Sequence, residues 1–220
     1  MTASFDDIGQ PLRHTPVPQH KPRTLSEQFG NPTGWIGALV GHLMALKNAE
    51  RNKWILSLVR PQSRDFVLEI GFGPGQDIAR VLEVVKQGVV AGVDHSEVML
   101  RQATRRNRTG VSWGNAKLRL GSACSLPYGD GTFDRVYSIN SVQFWEDLGL
   151  AIREMKRVLR AGGLAAIAIQ PRGRHATAET TREWSARLRN AFMDAGFHDV
   201  KVRVRAVNPV PTTCVLATRP

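Results

Sequence analysis

The sequence predicts an α/β protein, built on a doubly wound, mostly parallel sheet of seven strands that ends in an antiparallel hairpin. From residue 66 onward, short β-rich segments alternate with segments of helical periodicity, and a glycine-rich turn follows the first of them. Such alternation requires crossover connections, which produce parallel strands covered on both faces. The last two β-rich segments are joined only by residues 206–212, which is too short for a crossover helix, so they are expected to pair antiparallel.

The beginning of the chain has a different character from the rest. Prolines punctuate residues 1–33, and each one removes a backbone donor and restricts the residue before it, so we expect an extended or disordered arm. Between residues 35 and 59 apolar side chains recur at helical spacing, which predicts one or two amphipathic helices. We therefore predict a single domain over residues 34–220, with residues 34–60 as its N-terminal helical cover.

The elements of the sheet domain follow from periodicity and from turn residues. Strands are expected at residues 66–70, 89–93, 117–120, 133–139, 164–170, 200–205 and 213–218. Helices are expected at residues 76–86, 97–106, 146–159 and 178–195. Residues 161–163 contain two glycines and are expected to stop the third of these helices, and Gly196 closes the fourth.

Composition limits the class of protein. The 220 residues carry a net charge of +11, and the longest clean apolar run, residues 164–169, is too short to cross a bilayer. No signal-peptide pattern is present at the start, so we expect a soluble, cytoplasmic protein. The charge permits contact with nucleic acid or an anionic membrane, but the cations are spread out and a solvated surface is favoured. Cys124 and Cys214 lack metal-site spacing, so no metal is expected.

The turn after the first strand carries the most chemical information. Gly71, Gly73 and Gly75 let the chain turn sharply and let a ligand lie against bare backbone. A dinucleotide fingerprint would need its third glycine at position 76, which is glutamine. Glu69, two residues before the turn, suits a cationic group better than a pyrophosphate.

A second acidic residue closes the second strand. Asp94 lies nineteen residues after Gly75, a distance at which a carboxylate can accept hydrogen bonds from ribose hydroxyls. The alternative is that Asp94 caps the following helix, a role for which Ser96 competes.

Together these residues resemble motifs I and II of the class I S-adenosylmethionine-dependent methyltransferases, whose fold is Rossmann-like. Residues 121–128, 133–138 and 153–163 are similar to later segments of the ubiquinone-biosynthesis-type branch, which methylates small molecules. The resemblance covers residues 66–170 and is specific as a set.

The resemblance implies S-adenosylmethionine as the cofactor and assigns residues to it. Glu69 and the turn would hold the methionine moiety, Asp94 the ribose and His95 a place beside the adenine. The implied cofactor-binding residues are Glu69, Gly71, Phe72, Gly73, Gly75, Asp94, His95, Ser122, Ala123 and Asn140. Ser122 departs from the family, which usually has aspartate there, and the contact to the adenine amino group should weaken by roughly 1 kcal/mol.

The expected function is methyl transfer to a small, hydrophobic or aromatic acceptor. Residues 140–145 do not form the Asn/Asp-Pro-Pro-Tyr motif of methyltransferases that act on adenine or glutamine amines. His42 and Asn140 are candidates for catalysis, although His42 also fits the edge of an ordinary amphipathic helix, and Asn48 lies in the same segment. Alternatives are methylation of a phospholipid or of RNA, or a non-catalytic nucleoside-binding protein of the same fold.

Overall fold

The computed structural model describes residues 49–173 and 175–220. The expectations for the arm over residues 1–33, for residues 34–48 and for His42 and Asn48 lie outside the described residues. Seven strands are present: β1 (Phe66–Ile70), β2 (Val89–Asp94), β3 (Ala116–Leu120), β4 (Phe133–Ile139), β5 (Leu159–Ile169), β6 (His198–Arg205) and β7 (Thr212–Thr218). The described helices are α1 (Ala49–Val59), α2 (Gln76–Leu82), α3 (Glu97–Arg106), α4 (Arg108–Ser112), α5 (Leu148–Val158) and α6 (Ala178–Asp194), with a 3-10 turn at Val142–Phe144.

The strands form one seven-stranded sheet in the order β3-β2-β1-β4-β5-β7-β6. Strands β1 to β5 pair in parallel, whereas β7 pairs antiparallel with both β5 and β6. The predicted fold class, including the C-terminal antiparallel hairpin, is confirmed. The direction of winding reverses between β1 and β4, and in such a sheet a crevice opens at the carboxyl ends of the strands beside that switch point.

Helices cover both faces of the sheet, so most side chains of its central strands are buried. One face buries Phe133, Met155 and Phe192. The other buries Ile55 and Ile78, so α1 and α2 share that face. No helix in the two described ranges is long and apolar enough to cross a membrane.

Several element boundaries differ from the prediction. Helix α5 begins after Asp147, whose side chain accepts a hydrogen bond from Leu150 N at 2.8 Å and caps the helix. Residues 161–163 do not stop that helix, because it already ends at Val158 and β5 begins at Leu159. The glycines lie inside β5 instead, where the backbone of Gly162 and Gly163 bonds to that of Arg219 at 2.9 Å. Helix α2 ends earlier than expected, and the short α4 was not predicted.

Candidate active site

A cavity of about 280 Å³ opens at the carboxyl ends of the parallel strands. Segments that follow each of the first five strands line it, at residues 71–74, 94–96, 121–123, 140–141, 144–146 and 172. The first turn of α1 closes one side with Arg51 and Asn52. The cavity lies at the switch point of the winding, where an open α/β sheet places its ligand.

Gly73 forms the part of the turn that faces open space. Its φ of +52° lies in the left-handed region, and a Cβ there would meet no protein atom within 4 Å. Its backbone N–H donates to Asp94 Oδ2 at 2.9 Å, which holds the turn against the end of β2. This combination of bare backbone and a fixed turn is what close approach of a ligand requires.

Gly75 has a packing role besides the one predicted. It does not line the cavity, and a Cβ there would lie 2.6 Å from Ala103 Cβ. Asn107 Nδ2 also donates to the Gly75 carbonyl at 2.9 Å. Gly75 therefore permits close packing of the start of α2 on α3, and its contact with the cofactor stays a prediction.

Asp94 is buried at the end of β2 and lines the cavity. It accepts from the backbone N–H groups of Gly73 and Ser96, each at 2.9 Å. Ser96, not Asp94, caps α3, because its hydroxyl accepts from Met99 N. Burial raises the pKa of Asp94, and the two N–H groups oppose that rise. A carboxylate has about four lone-pair sites, so hydrogen bonds to a ligand remain possible.

Glu69 is only 2% exposed and also lines the cavity. The hydroxyl of Tyr137 donates to Glu69 Oε2 at 3.0 Å. Burial raises the pKa of Glu69 well above its usual range, and the neighbouring negative charge of Asp77 raises it further. A cationic ligand group beside Glu69 would offset the cost of its charge.

The three residues predicted to lie near the adenine, His95, Ser122 and Ala123, line the cavity after β2 and β3. His95 is half exposed, with Nδ1 3.8 Å from Asp94 Oδ1. Ser122 and Ala123 line the cavity after β3. The Ser122 hydroxyl accepts from Cys124 N at 3.1 Å, so one of its acceptor sites is already used by the local turn. Phe72 lies within the glycine turn, is buried and lines the cavity.

Asn140 joins the ends of β4 and β5. Its Oδ1 accepts from Gln170 N at 2.8 Å, and its φ of +54° is left-handed. Its Nδ2 is buried without a hydrogen-bond partner among the described residues. A buried amide N–H without a partner costs free energy, so the Asn140 Nδ2 group is suited to donate a hydrogen bond to an oxygen or nitrogen atom of a ligand.

The sequence analysis missed a polar network on the α1 side of the cavity. Arg51 is 5% exposed and donates to Asn52 Oδ1 at 2.9 Å and to Gln170 Oε1 at 2.9 Å. Asn52 in turn donates to the buried carboxylate of Asp77, which also accepts from Arg80. Burial lowers the pKa of Arg51 to about 10, and the charge of Arg172 acts in the same direction. The available signal was a polar stretch, Glu50 to Lys53, at the start of a helix whose later residues are mostly apolar.

Aromatic side chains close the cavity after β4. Trp145 Nε1 donates to Ser141 Oγ at 3.2 Å, and the ring packs against the core. Phe144 is 45% exposed although it lines the cavity. Trp145 therefore packs against the core and also lines the cavity, whereas Phe144 presents an apolar surface to a ligand in the cavity. Among the described residues no group of three His, Cys, Asp or Glu side chains could hold a metal ion.

Comparisons with known proteins indicate the family of the chain. The family model described as a methyltransferase domain matches residues 68–167. An uncharacterized methyltransferase of Bacillus subtilis (strain 168) is 32% identical over 182 residues, which cover 83% of this chain and 98% of the relative. A demethylmenaquinone methyltransferase of Roseiflexus sp. (strain RS-1) is 26% identical over 160 residues, covering 73% and 66%.

A solved structure shows the same fold. The crystal structure of a SAM-dependent methyltransferase from Aquifex aeolicus superposes with a TM-score of 0.62 at 22% identity. The match covers 77% of this chain and 89% of that one.

Proposed function

The chain belongs to the class I S-adenosylmethionine-dependent methyltransferases, and from this premise we propose that it methylates a small hydrophobic or aromatic acceptor. S-adenosylmethionine is its cofactor, and when bound it supplies a methyl group already activated on a sulfonium. The observation that carries the acceptor proposal is the aromatic wall of Phe144 and Trp145, which is continuous with the cavity beside the glycine turn.

The donor set of the cavity fits the cofactor. S-adenosylmethionine presents an ammonium, a carboxylate, two ribose hydroxyls and an adenine. Glu69 would hold the ammonium and Asp94 would hold the ribose. The cofactor could lie close to the backbone at Gly73, because that residue has no side chain. Arg51, a buried cation on the same cavity, would pair with the cofactor carboxylate.

The order of the strands supports an orientation for the cofactor. With the ribose on Asp94 after β2, the adenine would extend toward Ser122 and Ala123 after β3. The reactive end would then face the ends of β4 and β5, where Asn140 and Phe144 lie. The acceptor would enter on that side of the cavity.

The chain's own residues would act mainly by alignment. Displacement at an activated methyl group needs the acceptor atom in line with the bond that breaks, and it needs water kept out. The buried Nδ2 of Asn140 could hold an acceptor oxygen in place, and Trp145 would limit the entry of water. Asn140 does not titrate, so it would position the acceptor without removing a proton.

The comparison with the Roseiflexus relative supports a ring-bearing acceptor, because that protein is a demethylmenaquinone methyltransferase. The net charge of +11 keeps phospholipid and RNA as the alternatives, since both carry phosphate. The aromatic wall of Phe144 and Trp145 favours a small acceptor with an apolar or aromatic body over either of these.

Methyl transfer from S-adenosylmethionine with a tritiated methyl group would test this proposal. The panel contains hydroquinones and phenols, phosphatidylethanolamine vesicles, and mixed RNA. We expect label only in the small-molecule arm, and Phe144→Ala should lower that transfer at least tenfold. Label confined to vesicles or RNA would overturn the proposal, and so would equal transfer by the variant.

A further inference from the structure

Arg172 lies three residues beyond β5 and lines the cavity on the side assigned to the acceptor. Within residues 49–173 and 175–220 it makes no hydrogen bond and no ion pair. Partial desolvation lowers its pKa. Arg172 is exposed at the rim of the cavity, and its guanidinium offers five N–H donors to a ligand that enters there.

A second guanidinium faces the same region. Among the described residues, Arg51 donates hydrogen bonds only to the neutral amides of Asn52 and Gln170. The charge of Arg172 lowers the pKa of Arg51, and the charge of Asp77 raises it. Two cations on one rim are a stable arrangement when anions lie between or beside them. The cofactor brings one carboxylate, which accounts for one of the two.

Among the described residues, no carboxylate that lines the cavity forms an ion pair with Arg51 or Arg172. Asp77 is held by Arg80 and Asn52, and Glu69 by the Tyr137 hydroxyl. Glu146 also lines the cavity, on the β4 side. Glu146 is exposed to solvent. It would attract a methyl acceptor with a positive charge, whereas Arg172 would attract one with a negative charge.

We propose that the acceptor carries an anionic group, such as a carboxylate, which Arg172 binds while Phe144 contacts its flat apolar body. This rests on the proposed function and narrows its substrate class to aromatic or hydrophobic acids. An anion at Arg172 could come from two sources, the acceptor or the methionine carboxylate of the cofactor. The experiment must therefore follow both.

The cofactor arm is a calorimetric titration with S-adenosylhomocysteine. Arg172→Gln is expected to change its Kd by less than threefold, whereas Arg51→Gln should weaken binding at least tenfold. A tenfold loss in Arg172→Gln would overturn the proposal, because Arg172 would then hold the cofactor. Failure of the wild-type protein to bind at all would count against the proposed function itself.

The acceptor arm uses matched probes on the protein saturated with S-adenosylhomocysteine. We expect 2-naphthoate to bind at least tenfold more tightly than 2-naphthamide, and this preference should vanish in Arg172→Gln. Arg189→Gln, the same charge change on the exposed face of α6, should keep it. Equal or absent binding of both probes would overturn the proposal, as would tighter binding of 2-naphthylmethylammonium, which would favour Glu146.

Discussion

At the scale of single residues, the site contains two buried carboxylates, Glu69 and Asp94, that form no full ion pair with a cationic side chain among the described residues. Glu69 is held by a hydroxyl and Asp94 by two backbone N–H groups, so neither has a full cationic partner. Burial raises the pKa of both carboxyls. Such an arrangement costs stability in the free protein and favours a ligand with a cationic end.

Glu69→Gln should therefore separate stability from binding. The pKa of Glu69 is raised in the folded state. Its contribution to the free energy of unfolding is therefore most favourable at low pH and is lost as the pH rises through the pKa of the folded state. The variant should be at least as stable as wild type to urea, by a margin that grows with pH. Its affinity for S-adenosylmethionine should fall roughly 10- to 150-fold, the range for a hydrogen bond to a charged group. Lower stability at every pH would contradict this explanation.

Asp94→Ala should cost cofactor affinity by a similar factor, roughly 10- to 150-fold for S-adenosylhomocysteine. It removes the proposed ribose acceptor and also the acceptor for Gly73 N. Asp147→Ala is the matched control, because Asp147 does not line the cavity and its carboxylate only caps α5, so the change should cost about 1 kcal/mol of stability without a comparable loss of affinity. Calorimetry and urea unfolding measure the two effects. Equal affinity in wild type and Asp94→Ala would remove Asp94 from the site.

Gly73→Val should abolish cofactor binding. Gly114 provides the control, because it also has a positive φ, at +78°, and a Cβ there would also meet no atom within 4 Å. Both substitutions carry left-handed strain of roughly 1–2 kcal/mol, but only Gly73 lines the cavity. Titration with S-adenosylhomocysteine should therefore show binding to Gly114→Val alone. Binding by both variants would mean that the cofactor lies elsewhere.

At the scale of elements, α1 joins the core to the site. Ile55 and Val59 are buried against the sheet, while Arg51 and Asn52 at its other end line the cavity. The hydrogen bond from Arg51 to Gln170 ties α1 to the end of β5. This placement supports the proposal that residues 34–60 cover the acceptor side of the site.

Two truncations test that cover. Deleting residues 1–30 should leave methyl transfer largely intact, because the proline-spaced arm precedes the amphipathic segment. Deleting residues 1–48 keeps α1 and its buried side chains, so the protein should fold and bind S-adenosylhomocysteine, yet transfer should fall at least tenfold. Full transfer by the longer truncation would show that the segment before α1 has no part in the site.

At the scale of the whole molecule, cofactor binding should appear as thermal stabilisation. S-adenosylhomocysteine at a hundred times its Kd adds about 2.7 kcal/mol, which corresponds to a rise in Tm of roughly 5–11 °C for a chain of this size. NAD at the same concentration should give no shift, since position 76 is glutamine where a dinucleotide turn needs glycine. Calorimetric scans measure both shifts, and a larger shift with NAD would contradict the cofactor assignment.

The fold could be predicted because its signals are local. Alternating β-rich and helical segments require parallel strands, and the glycine turn with Glu69 and Asp94 stands at strand ends that the topology brings to one edge. Short sequence patterns predict the seven strands and the terminal hairpin. The glycine turn and the strand ends also predict where the cavity lies. Capping at Asp147 and the glycines within β5 displaced boundaries, because tertiary pairing decides where an element ends.

Only the tertiary structure decided which polar residues share the cavity. Arg51 meets Gln170 across 119 positions of sequence, and Asn52 meets Asp77 across 25, so no local pattern announces either contact. The same holds for Gly75, whose motif position suggested a ligand but whose space is taken by Ala103. The periodicity of the sequence by itself determined the fold class, and its resemblance to a family with the same motifs at two strand ends indicated the cofactor class. Packing placed Arg51, Asn52 and Gln170 beside one another, because these residues come from segments that meet only when the sheet forms.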